Sequence, residues 1–124
     1  MEKIKGLQVQ KIAFVGGGAM AEAIIKGILA GGLLAAKDIF VGNRTQKRCD
    51  YLKEKYGINA MTDNKVAVAE ADLVIFAVKP QVAPVALTPE LVAAMKKDAW
   101  VLSIMGSVST VSYTHLTLPT SDTV

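Results

Sequence analysis

Three consecutive glycines, Gly16, Gly17 and Gly18, separate a short apolar run, Ile12 to Val15, from a helix-forming stretch that begins at Ala19. Read from Gly16 through Gly18 to Ala21, the pattern is G-x-G-x-x-A. The chemistry open to such residues is anion binding by backbone. Gly16 lets the chain turn sharply out of a strand, Gly18 lets a pyrophosphate come close to the main chain, and Ala21 is small enough for tight helix–strand packing. Free N–H groups and the dipole at the helix start favour a phosphate. A second candidate group is Asn43-Arg44-Thr45, after the apolar run Ile39 to Gly42. An acid usually binds the ribose hydroxyls at this place. No acid stands here, and Arg44 with Asn43 and Thr45 suits a 2′-phosphate instead. The expected cofactor is therefore NADP(H). A third is Ala77-Val78-Lys79-Pro80-Gln81, at the carboxyl end of an apolar run where open α/β sheets take ligands. Lys79 there is equally suited to a phosphate or to solvent.

Elements that position these groups can be read from the periodicity. Strands are expected over Gln8–Val15, Ile39–Gly42, Ile58–Ala60, Leu73–Val78 and Trp100–Ile104. Helices are expected over Ala19–Ala30, with Met20, Ala23, Ile24, Gly27 and Ile28 in step, over Gln46–Tyr56 with Thr45 as cap, from Asp63-Asn64 to Glu70, and from Thr88-Pro89 to about Lys97. Leu73–Val78 is apolar at every position, as in a strand covered on both faces. Strands alternating with helices predict an α/β fold, a Rossmann-type doubly wound parallel sheet in a single domain.

The chain has 124 residues and a net charge of +3, with lysines and arginines interleaved with acids rather than gathered in a stripe. This argues against nucleic-acid binding. Residues 1–10 show no signal-peptide pattern, and the apolar region Ala19 to Ala36 is too interrupted to span a membrane. The single cysteine, Cys49, excludes an internal disulfide and offers no zinc pattern, so it reads as a packing residue in a cytoplasmic protein. No metal site and no general acid is evident. From Thr110 the pattern breaks. Residues 1–110 are assigned to the dinucleotide-binding domain and 111–124 to a non-native or disordered tail that packs on nothing. The run Val111 to Thr120 resembles a translated sequencing-library adapter, which would leave His115 without function.

Together these residues resemble the amino-terminal half of a pyrroline-5-carboxylate reductase. The resemblance is carried by Phe14-Val15-Gly16-Gly17-Gly18-Ala19-Met20, Asn43-Arg44-Thr45, Ala77-Val78-Lys79-Pro80-Gln81 and Val101-Leu102-Ser103-Ile104, across about residues 9–109. It implies a domain that binds NADPH and delivers hydride to a cyclic imine, 1-pyrroline-5-carboxylate, giving L-proline. Val15, Gly16, Gly17, Gly18, Ala19 and Met20 would wrap the pyrophosphate, and Asn43 and Arg44 would hold the adenosine phosphate. Asn64 matches a family position near the cofactor, and Ala77, Val78, Lys79 and Pro80 would line the nicotinamide side. Ser107, in Met105-Gly106-Ser107, departs from the family's Ala-Ala-Gly turn. The resemblance also implies a helical dimerisation domain that completes the substrate pocket and is lacking here, so that the full-length parent is a homo-oligomer and the fragment is inactive. Alternatives are an NADP-dependent hydroxyacid dehydrogenase or F420-type oxidoreductase domain, and a non-catalytic nucleotide-binding module.

Overall fold

A computed structural model of the chain describes residues 9–78, 88–104 and, for the backbone alone, 111–114. Six strands form one sheet: β1 (Ile12–Val15), β2 (Ile39–Gly42), β3 (Asn59–Met61), β4 (Leu73–Phe76), β5 (Trp100–Ser103) and β6 (Val111–Thr114). Their order is β3-β2-β1-β4-β5-β6. The first five are parallel, with Val15 level with Gly42 on one side and with Phe76 on the other. The order reverses between β1 and β4, the switch point beyond which Rossmann-type sheets take ligands.

Helices α1 (Ala19–Ala30), α2 (Gln46–Tyr56), α3 (Asn64–Val68) and α4 (Pro89–Ala94) cover the sheet on both faces. Strand alternation explains the division. Ile12 and Phe14 of β1 point into one core with Ile25 of α1 and Leu52 of α2, while Ala13 and Val15 point into the other with Val68 of α3 and Leu91 of α4. Every β1 residue is buried, so this strand sits at the centre of both cores.

Helix ends follow local chemistry. Asp63 accepts from the Lys65 N–H at the start of α3, and Thr88 accepts from the Leu91 N–H at the start of α4, with Pro89 in its first turn. Gly57, at φ +74°, closes α2.

Several expectations are corrected. The buried stripe of α1 is Ala21, Ile25 and Ile28, one position beyond the expected Met20 and Ile24, and Met20 is exposed. The helix turns its small Ala21 onto the sheet, which sets the phase. β1 begins at Ile12 rather than Gln8, because the N–H groups of Gln10 and Lys11 donate to the Asp72 carboxylate. β4 stops at Phe76, α3 at Val68 and α4 at Ala94, each short of the expected end. Residues 111–114 also differ from the expected unpacked tail. They pair antiparallel with β5, Ser103 opposite Val111, because the outer edge of β5 leaves ladder groups to be satisfied. The remaining tail, His115 included, lies outside the described residues.

Candidate functional site

The site grows from the carboxyl ends of β1, β2 and β4. Gly16 leaves β1 at φ +105°, a conformation that L side chains rarely adopt, and a Cβ there would lie 2.5 Å from the Ala77 carbonyl oxygen. Its N–H donates to the Gly42 carbonyl at 2.8 Å, and the Ala77 N–H donates to the Val15 carbonyl at 2.9 Å, so the turn is tied to both neighbouring strands. Gly17 is buried, and a Cβ on it would press on Leu52 and Val41 at 3.0 Å. Gly18 is the reverse case: it is exposed, and a Cβ on it would meet nothing within 4 Å. That open backbone at the start of α1, with exposed Ala19 and Met20 beside it, fits the close approach of a phosphate.

Asn43 is bound into the turn. Its Oδ1 accepts from the Gly17 N–H at 3.0 Å, and its Nδ2 donates to the Thr45 hydroxyl at 3.1 Å. Thr45 occupies the N-cap position of α2 but makes no side-chain capping bond. Arg44 between them is exposed and has no hydrogen-bond or ion-pair partner among the described residues. The triplet therefore presents one uncommitted guanidinium at the end of β2, next to a fixed scaffold.

Asn64 packs directly on Gly42, where any Cβ would overlap its side chain. Its Oδ1 is buried without a hydrogen-bond partner. It also lines a cavity of about 450 Å³ with Thr62, Asp63, Lys65, Thr88, Glu90 and Leu91. Ala77 and Val78 are half-buried beneath Gly16. Lys79, Pro80 and Ser107 lie outside the described residues. Cys49 is fully buried, its thiol donates to the Asn43 carbonyl, and burial pushes its pKa up, which suits a packing role.

Arg48 and Glu22 belong to the site and escape a reading along the chain. The Arg48 Nε donates to the Gly17 carbonyl at 2.5 Å, and its Nη2 bonds Glu22 at 2.8 Å. Glu22 also accepts from the hydroxyls of Tyr51 at 2.7 Å and Tyr56 at 2.5 Å, with the Lys55 ammonium 3.7 Å away. The two tyrosine hydroxyls, with Arg48 adding to them, outweigh partial burial and hold the Glu22 carboxyl well below the usual range, at about 2. The chain shows only that Arg48 and Tyr51 lie one helical turn apart on α2, and nothing in that spacing points to Glu22 or to the glycine turn.

Among the described residues no group of three or more His, Cys, Asp or Glu could hold a metal ion, and no helix is long and apolar enough to cross a membrane.

A pyrroline-5-carboxylate reductase from Arabidopsis thaliana is 34% identical over 98 residues, covering 79% of this chain and 35% of that protein. One from Corynebacterium melassecola is 43% identical over 70 residues, 56% of this chain and 26% of that protein. The structure of a pyrroline-5-carboxylate reductase from Coxiella burnetii superposes with a TM-score of 0.62 at 27% identity, covering 77% of this chain and 43% of that one. The chain spans roughly a third of the length of the curated relatives it matches. Residues 11–107 match the family NADP oxidoreductase coenzyme F420-dependent. Given that match and a glycine turn at the switch point of the sheet, the chain belongs to that family.

Proposed function

We propose that this chain is the NADPH-binding domain of a pyrroline-5-carboxylate reductase, an oxidoreductase that reduces a cyclic imine in proline biosynthesis. The observation that carries the nucleotide reading is the exposed, unobstructed backbone at Gly18 between the tied-down Gly16 and the start of α1. The choice of substrate rests on the likeness to curated reductases over most of this chain. Val15 to Met20 wrap the pyrophosphate. Arg44 binds the 2′-phosphate, and Asn43 and Thr45 shape the loop that offers it. Asn64 stays beside the cofactor, while Ala77 to Pro80 line the nicotinamide side. When bound, the cofactor supplies the hydride. The chain's own residues hold the phosphates and fix the turn from which the nicotinamide extends. The imine is held by parts of the full-length protein beyond the matched third, and that protein works as a cytoplasmic homo-oligomer without nucleic-acid partners. The dinucleotide-binding domain is assigned to residues 1–110, and the sequence after it, whose first four residues add an edge strand to the domain's sheet, is assigned as non-native.

Nucleotide choice tests the reading. A charge-assisted hydrogen bond contributes about 1.5–3 kcal/mol net. That is roughly a ten- to hundredfold preference for NADPH over NADH. Titrating both nucleotides into wild type and Arg44→Ala should show that preference and its loss, with NADH binding nearly intact and the preference shrinking with added salt. Equal affinities in wild type, or an equal loss of both in the variant, would make Arg44 a turn residue only.

A further inference from the structure

We infer that Arg48 is a positioning residue that sets the direction of the Gly17–Gly18 peptide, and that it does so as a neutralised clamp rather than as a phosphate ligand. The inference rests on the nucleotide reading above. A peptide between two glycines has little steric preference and turns over easily. Here both ends of Gly17 are held: its N–H by the Asn43 Oδ1 at 3.0 Å and its carbonyl by the Arg48 Nε at 2.5 Å. In a planar trans peptide the carbonyl and the following N–H point opposite ways. Fixing the Gly17 carbonyl towards Arg48 therefore turns the Gly18 N–H away from it. That N–H donates to nothing among the described residues, and Gly18 is exposed, with no atom within 4 Å of where a Cβ would stand. If the peptide flipped, a carbonyl would face the phosphate where a donor is needed.

Arg48 is itself held on three sides. Glu22 on α1 binds its Nη2, Gly17 binds its Nε, and its guanidinium lies 4.7 Å over the Tyr51 ring. Glu22 is fixed in turn by Tyr51 and Tyr56. The Arg48 charge is thus balanced by a partly buried carboxylate, with side chains 29% and 15% exposed, and its hydrogen bonds go to protein. This separates it from Arg44, which is exposed and uncommitted. The clamp joins α1, α2 and the turn, so it acts on the pyrophosphate that NADPH and NADH share, and it is indifferent to the 2′-phosphate.

The test is titration of NADPH, NADH and ADP into wild type, Arg48→Met and Arg48→Lys, with thermal melting of each. Arg48→Met keeps the stem over Tyr51 and removes the donors. All three ligands should weaken by the same factor, about tenfold, the weight of one charge-assisted hydrogen bond. Arg48→Lys should recover part of that loss for all three alike, and in labelled protein the Gly18 amide resonance should shift in Arg48→Met and return towards its wild-type position in Arg48→Lys. A loss confined to NADPH would make Arg48 a 2′-phosphate ligand and overturn the inference, as would wild-type affinities in a folded Arg48→Met. Should Arg48→Met not fold, Glu22→Gln decides: it frees the guanidinium to leave Gly17 and should weaken the three ligands equally, and unchanged affinities would overturn the inference. Failure of wild type to bind any of the three would instead overturn the nucleotide reading itself.

Discussion

The two ends of the sheet treat their polar groups in opposite ways. At the amino ends of β1 and β4, the Asp72 carboxylate accepts from the Gln10 N–H at 2.8 Å, the Lys11 N–H at 3.0 Å and the Lys96 ammonium, while Lys11 pairs with Glu70 at 2.7 Å. Partial burial works against the Asp72 charge, but Lys96 and the two N–H groups outweigh it and hold its carboxyl below the usual value. At the carboxyl ends, the scaffold is just as tightly bonded, through Asn43, Arg48 and Glu22, yet the Gly18 N–H and the Arg44 guanidinium are left without partners among the described residues. The first end uses its charges to hold the chain. The second holds its scaffold in order to leave donors free. Firmness is common to both ends, and uncommitted donors are what mark the candidate functional one.

Substitutions can break this contrast, the largest effect coming first. Gly16→Ala adds a Cβ at a positive φ and against the Ala77 carbonyl, and should destabilise the fold by at least about 3 kcal/mol. Chemical denaturation measures it, and a wild-type midpoint would mean the turn can relax. Asp72→Ala strips a carboxylate from two backbone donors and a lysine. It should lower stability by about 1–3 kcal/mol. Nucleotide affinity should stay at the wild-type value, because Asp72 lies at the end of the sheet opposite the glycine turn. Gly18→Ala should do the converse. The added methyl meets open space in the free protein, so stability should hold within about 0.5 kcal/mol. Nucleotides should bind about tenfold more weakly because the methyl occupies the approach to the backbone. A variant that lost stability and kept affinity would invert the assignment of the two ends.

The smallest effect is on pH dependence. Glu22 has its folded pKa depressed to about 2 from an ordinary 4.5. The stabilisation it contributes is complete above the ordinary value and is lost as pH falls through about 2. Wild-type stability should therefore decline more steeply than that of Glu22→Gln between about pH 4.5 and pH 2. Asp72 also titrates low and keeps some slope in both proteins. Parallel acid limbs would show that the Glu22 cluster adds nothing.

Much of this was legible along the chain, because its causes are local. The apolar runs Ile12–Val15 and Leu73–Phe76, the glycine stop between strand and helix, Thr88-Pro89 at a helix start and Gly57 at a helix end each depend on neighbouring residues alone. So did the need for glycine at position 16, which follows from a strand that must turn back into a helix. What the tertiary structure decided depends on partners far apart in sequence. Asn43 reads locally as a ligand residue, and the fold spends its Oδ1 on Gly17, 26 residues away. Arg48 and Glu22 are also 26 apart, and Tyr56 and Glu22 are 34 apart, so no spacing in the chain announces their cluster. The phase of α1, the early end of β4 under Gly16 and the pairing of residues 111–114 with β5 were settled in the same way. Periodicity states that a helix has an apolar side or a strand an edge. Packing against a particular neighbour fixes which residue faces in and which edge is filled.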